Sequence, residues 1–314
     1  MARLVPSDVH VDKYLTNVSI AFKNDSYISD QVVPIIPVTN ETDRYATFSQ
    51  ADFARREVNK MADGQPAPQS GFAVSYGTYA VDEYAIAMKL GPRTLANADS
   101  AFRLETSAAE WVADQLALER EYRVASAIFS ATNFTNTAAV TTQWNQTTLA
   151  DPIGDIMGAM DKVEDQATGR SANTVVMGIQ CWRQLARCAT VFDYLFGGGF
   201  TRPQVVTPRL FEEYLSGYVA RPVKILVGKA FYNTVKEGGT ASYSPIWGKN
   251  CWVGYVPETA SVMTPAAAYI FRAGYQMRKW NETSSLSTIV EGRELYAIEI
   301  VSAACAYYLT SCVA

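Results

Sequence analysis

Histidine is almost missing from this chain, with His10 the only one in 314 residues. That removes a single-chain Ser–His–Asp or Cys–His arrangement, the HExxH metal motif and any site built on several imidazoles. Cysteine is scarce as well: there are five, none spaced CxxC, so neither zinc nor thiol redox chemistry is signalled. Cys181 and Cys188 are expected on one helix, about 10 Å apart along its axis. Cys305 and Cys312 are expected in extended chain, about 20 Å apart. Neither local pair meets disulfide geometry in those conformations. Other pairings stay open, and buried reduced thiols are the expectation.

Long apolar runs are absent too. No window reaches the roughly 20 residues of a membrane helix. The opening Met1-Ala2-Arg3-Leu4-Val5-Pro6 has no continuous apolar stretch of the kind a secretory signal carries. A soluble protein made in a cytoplasm is expected, with its Asn-x-Ser/Thr triplets chance matches. Charge of one sign is also lacking: 27 Lys and Arg stand against 31 Asp and Glu, and the first sixty residues mix both signs. A basic, counterion-releasing nucleic-acid arm is therefore excluded. Gly197-Gly198-Gly199 follows a helical segment and is not succeeded by Gly-Lys-Ser/Thr, so it reads as a loop and not a phosphate cradle. Asp161, Glu164 and Asp165 follow an apolar helical face and read as solvated carboxylates. No catalytic residue, cofactor or metal is expected.

What is present points elsewhere. Aromatics make up 12% of the chain, which suits either a Tyr-rich core or large contact surfaces. In residues 1–40 the apolar run Val32-Val33-Pro34-Ile35-Ile36-Pro37-Val38 carries two prolines, which exclude a helix interior and a central strand. An extended arm lying on other surface is expected, with His10 a surface or interface residue within it. Arg44 to Phe48 and Gly71 to Thr78 alternate as strands, joined by a long polar connection containing Gly64, Pro66 and Pro68. A connection of that length is hard to justify in a monomer unless it binds something.

A helix is expected over about 99–130, capped by Asp99 or Ser100. Its apolar face is read as Leu104, Ala108, Trp111, Leu118, Tyr122, Ala125 and Phe129, interrupted by Gln115. Arg103, Glu110, Asp114 and Glu121 form the polar face. Such a helix would be about 45 Å long, well beyond the usual three turns. Asp151-Pro152 opens a helix with Ile153, Ile156, Met157, Met160 and Val163 on one face, ended by Gly169. Thr174–Met177, Val223–Val227 and Cys251–Val256 read as strands, with helices around Trp182 and after Thr207-Pro208. Ala268 to Trp280 and stretches within 287–309 read as further strands.

Several stretches, in order, resemble the major capsid proteins of tailed bacteriophages with the Hong Kong 97-type fold. They are Leu15-Thr16-Asn17-Val18-Ser19-Ile20 running through Tyr27-Ile28-Ser29-Asp30-Gln31 to the Pro-broken segment, and Asp82-Glu83-Tyr84-Ala85 with Ala96-Asn97-Ala98-Asp99. Further on come Val227 to Thr234, Ile246-Trp247-Gly248 and Trp252-Val253-Gly254-Tyr255, then Gly292-Arg293-Glu294-Leu295-Tyr296 and Ile300-Val301-Ser302-Ala303. The resemblance implies an α+β fold: an N-terminal arm (1–40), an extended loop (41–82), a peripheral domain (83–150 and 263–292) with a spine helix of about 99–130, and an α/β axial domain (151–262 and 293–314). It implies a shell subunit, not an enzyme, that assembles with itself as hexamers and pentamers into the icosahedral head of a virion. The head would enclose double-stranded DNA without sequence-specific binding and be built in the bacterial cytoplasm.

A separate scaffolding protein, a portal and a decoration protein are the implied partners, with no membrane. Position in the loop and helix marks Phe48, Phe53, Arg55, Arg56, Lys60, Phe72, Tyr76, Glu110, Asp114 and Glu121 as candidate subunit-interface residues. Some relatives crosslink through a loop lysine; Lys60 lies in the matching region, without an identified partner. The alternatives are an encapsulin-type nanocompartment shell and, in a different class, a soluble α/β enzyme using a carboxylate or lysine.

Overall fold

A computed structural model of the chain describes residues 27–48, 52, 54–98, 104–134, 136–167, 169–197, 206–236, 238–259 and 266–314. His10 and Phe53, Arg103 and the proposed caps Asp99 and Ser100 lie outside them, as do Gly198 and Gly199.

The chain enters through a single helical turn, α1 (Ser29–Val32), and a short strand, β1 (Ile35–Pro37). The two prolines confine β1 to the edge of a sheet, as a residue without an N–H requires. There β1 runs parallel to β11 (Ala268–Glu282), and the Pro34 carbonyl still accepts from Ile270 N. Next come β2 (Thr42–Phe48) and β3 (Val74–Ala80), an antiparallel ribbon of their own. After β4 (Asp82–Leu90) and a short helix, α2 (Pro92–Asn97), comes the long helix α3 (Leu104–Ile128).

One sheet has the order β1-β11-β12-β4, where β12 is Ser287–Ile300. β11 and β12 stay paired from Ala268↔Ile300 to Glu282↔Ser287, with one irregularity between Arg272 and Gly274. Residues 293–300, expected in the α/β unit, therefore continue this sheet instead. There β12 is an inner strand, paired with β11 on one side up to Ile300 and with β4 on the other up to Tyr296.

Helix α3 lies across one face of the sheet, but not on the stripe expected of it. Its buried row is Leu104, Ala108, Val112 and Leu116, resumed at Val124 and Ile128, a spacing of four residues. At 3.6 residues per turn, such a row rotates steadily around the helix. The first half thus buries itself on the sheet and the second half on the α/β unit. Trp111 and Tyr122, read as core, are 45% and 42% exposed. Gly292 in β12 permits the close approach: a Cβ there would lie 2.6 Å from Val112 Cγ1 and 2.8 Å from Leu116 Cδ1.

The second sheet has the order β5-β13-β10-β6-β7. Its strands are β5 (Thr137–Ala139), β6 (Thr174–Gly178), β7 (Lys224–Gly228), β10 (Cys251–Gly254) and β13 (Ala306–Thr310). Every residue of β6 and β10 is buried, which the near-continuous apolar runs anticipate. Helices α4 (Pro152–Gln166), α5 (Ile179–Leu185), α6 (Ala189–Phe196) and α7 (Pro208–Val219) accompany this sheet. Asp151 caps α4 through Gly154 N at 3.0 Å, and Thr207 caps α7, with proline following each cap. A small ribbon of β8 (Phe231–Asn233) and β9 (Tyr243–Pro245) precedes β10.

Cys181 and Cys188 do not share a helix, because the chain turns between α5 and α6 and Cys188 sits at the start of the latter. All five cysteines are buried thiols, and no disulfide joins any two of them. A single cluster of buried side chains runs from Ile28, Val32 and Val33 through the end of α3 into the α/β sheet.

Candidate interaction surface

The β2–β3 ribbon has little core of its own. Of its fourteen paired residues only Tyr79 is buried, at the root. There Tyr79 stacks on Phe271 at 4.5 Å and Tyr45 on the same ring at 5.3 Å, anchoring the ribbon to β11. Tyr45 lies flat over Gly77, where a Cβ would meet its ring at 2.3 Å. Beyond that root apolar side chains stand open: Val58 is 99% exposed, Tyr76 67% and Phe72 52%. A two-stranded ribbon alone is marginal in water, and contiguous exposed apolar surface marks a contact site. The connection is ordered locally by Arg55, which pairs with Asp52 at 2.7 Å and Glu57 at 2.9 Å; Asp52 also accepts from Ala73 N.

The residues marked from sequence divide into three groups. Arg55, Arg56, Lys60, Phe72 and Tyr76 are exposed on the ribbon and its connection, and Phe48 is half-buried with its ring 5.8 Å from that of Phe72. Glu110 is exposed on α3, and Asp114 is half-buried one turn on, taking a hydrogen bond from the Tyr27 hydroxyl at 3.1 Å. Glu121 belongs to neither group, and its placement on a surface face is corrected. Its carboxylate is fully buried and accepts from Ile28 N (3.0 Å), Ser29 N (2.8 Å) and the Trp247 indole N–H (2.6 Å).

That carboxylate joins three parts of the chain. It sits at the amino end of α1, where two backbone N–H groups need acceptors and negative charge is favoured. It also holds Trp247, whose ring edges against Phe129 and lies where a Cβ on Gly228 would be, 2.0 Å from Cδ1. Beside it Arg120 bridges Glu294 of β12 at 2.6 Å and Asp30 of α1 at 3.1 Å. Burial opposes the charge of Arg120, but Glu294 and Asp30 together keep its pKa above the ordinary value. The only sequence signal for this hub was the lone acid near the apolar row, and the precession of that row concealed it.

The face of the first sheet away from α3 is laced with ion pairs: Arg293 with Glu83 (2.7 Å) and Glu291 (2.6 Å), Arg278 with Glu291 (3.3 Å). Asp161 and Glu164 are exposed, as expected, accepting from Tyr218 and Ser171. Among the described residues no group of three or more His, Cys, Asp or Glu could hold a metal, and no helix is long and apolar enough to cross a membrane.

No family model matches the chain. It is 23% identical over 274 residues to the major capsid protein of Burkholderia phage BcepMu, covering 86% of this chain and 83% of that one. It is 21% identical over 246 residues to the major capsid protein of Pseudomonas phage JBD67, covering 76% and 74%. Among solved structures, a phage-related protein of Bordetella bronchiseptica RB50 superimposes with a TM-score of 0.70 at 17% identity, over 96% of this chain and 97% of that one. The capsid of Cyanophage P-SCSP1u gives 0.62 at 12% identity, over 96% and 93%. The chain has the α+β Hong Kong 97-type fold of phage capsid proteins.

Proposed function

We infer that this chain is a major capsid protein, the structural subunit of a tailed-phage head, and that its β2–β3 ribbon is a tie between neighbouring subunits. The observation that carries the reading is the ribbon: its apolar residues are exposed in the single chain and suit burial on another. Covering one such side chain is worth about 1.5–3 kcal/mol at most. Several modest contacts to different neighbours add through effective concentration, as a closed shell requires. The likeness over most of the chain to two phage capsid proteins favours a phage head over an enzyme-filled compartment.

In this reading residues before β2 form the arm, β2–β3 with its connection the extended loop, the first sheet with α3 the peripheral domain and the second sheet the axial domain. Hexamers and pentamers close around double-stranded DNA, with no strongly basic lining to hold it. The shell is built in the host cytoplasm with a separate scaffolding protein and a portal. Lys60 is exposed at the connection, where a loop crosslink would start; monomer alone after boiling in denaturant would remove that possibility. Electron microscopy of the full chain, expressed with and without its neighbouring genes, tests the whole reading. Closed shells or ring-shaped capsomers are expected; compact monomers under every condition would overturn it.

A further inference from the structure

Three of the buried thiols, Cys181, Cys251 and Cys312, converge where α5 meets the second sheet. Cys181, in the first turn of α5, donates its Sγ–H to the Asn250 carbonyl at 3.6 Å. The side-chain oxygen of the same Asn250 accepts from Ser311 N at 3.0 Å. One residue therefore brackets both Cys181 and the segment that carries Cys312. Ser311 lies at φ 55°, a left-handed turn just past β13 that swings the chain back. Cys312, next along, donates its own thiol to the Leu309 carbonyl at 3.5 Å. Leu309 stands directly across from Cys251 in the β10–β13 ladder.

Within this group Cys181 and Cys312 are the facing pair. Contact with the Cys181 thiol, and then burial, holds the Cys312 thiol above its ordinary pKa. For Cys251, held between β6 and β13, burial comes first and Cys312 second. Cys181 and Cys312 also come from segments distant in sequence, so a bond between them would close a loop of about 130 residues. Cys312 lies outside any helix or strand, and such segments open locally at lower free energy than inner strands do.

We propose that Cys181 and Cys312 form an oxidation-dependent staple, a disulfide that ties the segment after β13 to α5 within one chain. The oxidant is a soluble disulfide of the glutathione type. On local opening the Cys312 thiol loses its proton, and the thiolate attacks one sulfur of the oxidant. One glutathione leaves as thiolate, giving a mixed disulfide at Cys312. The Cys181 thiolate then attacks the Cys312 sulfur and expels the second glutathione. Two protein thiols thus give up two electrons and two protons, and one oxidised glutathione becomes two reduced ones. In a reducing compartment the pair stays open, and in an oxidising one it closes. High thiol pKa values make the closure slow at neutral pH. The staple needs no second molecule and goes beyond the shell-subunit reading without resting on it.

The test treats the purified full chain with oxidised glutathione, or with dithiothreitol as the reduced control. Thiols are then blocked in denaturant and the peptides mapped by mass spectrometry without reduction. A linked pair of peptides carrying Cys181 and Cys312 is expected, and the thermal midpoint should rise by about 5–10 °C and fall back on reduction. The rise between reduced and oxidised samples should vanish in Cys181→Ser and in Cys312→Ser, and persist in Cys251→Ala. Comparing each variant with its own reduced form removes any packing effect of the substitution, and the map of the unmodified chain decides even where a variant fails to fold. A Cys251–Cys312 link, glutathione left on Cys312, or five unlinked thiols after prolonged treatment would overturn the pairing. A linked pair without a rise in midpoint would overturn its role as a staple. None of these outcomes bears on the shell reading, which microscopy decides separately.

Discussion

The α/β unit and the β2–β3 ribbon use strands in opposite ways. In the unit β6 and β10 are buried at every residue, flanked by strands and helices of the same chain. In the ribbon one residue of fourteen is buried, and the side chains that would make a core face outward. The first region buries its inner strands within one molecule. The second is anchored only at its aromatic root, and its remaining apolar surface stays open. Damage to the first should therefore register as unfolding, and damage to the second as failure to associate.

The largest effect on folding is expected at Glu121. Glu121→Ala leaves two backbone N–H groups and an indole N–H buried without an acceptor, and should cost about 3–5 kcal/mol in denaturant unfolding of the unassembled chain. A loss near that of an exposed residue would show that water replaces the carboxylate. Gly228→Ala comes next, at about 1–3 kcal/mol, because its new methyl must displace the Trp247 ring. A neutral result would mean the wedge is looser than the 2.0 Å approach implies.

A smaller, pH-dependent effect comes from Cys188, whose thiol burial pushes from an ordinary 9.0 to about 11. Between those values the unfolded chain releases this proton and the folded chain keeps it. Stability should therefore fall as pH rises from about 9 and flatten beyond about 11. Unfolding scans of Cys188→Ser, which lacks that slope, isolate the contribution. The smallest folding effect is expected at Val58→Ser, within about 0.5 kcal/mol, although assembly should weaken. If this variant also unfolds readily, the contrast between the two regions collapses.

Much of the α/β unit was legible because its signals are local. Asp151-Pro152 and Thr207-Pro208 start helices where caps and proline predict, and Thr174–Met177 runs as a buried strand. The Pro-broken segment settles at a sheet edge for the reason proline imposes. The unusual length of the ribbon's connection was visible too, as was the outward placement of Arg56 and Lys60. What could not be read was anything set by two bodies at once. Helix α3 rests on two different surfaces, so no single face at 3.6-residue spacing describes it. Trp111 was placed inside and Glu121 outside for that one reason. Residues 293–300 were misplaced because an apolar strand does not announce which sheet it joins.

The carboxylate of Glu121 also sets an order in time. Its arm donors lie upstream and are made first, but its indole donor lies 126 residues downstream. At roughly 5–20 residues per second of synthesis, that partner follows about 6 to 25 seconds later. During that interval α3 can seat the arm but lacks the Trp247 donor that fastens it to the α/β unit. A nascent chain thus closes this three-way joint only once Trp247 has been made, about four-fifths of the way through its translation.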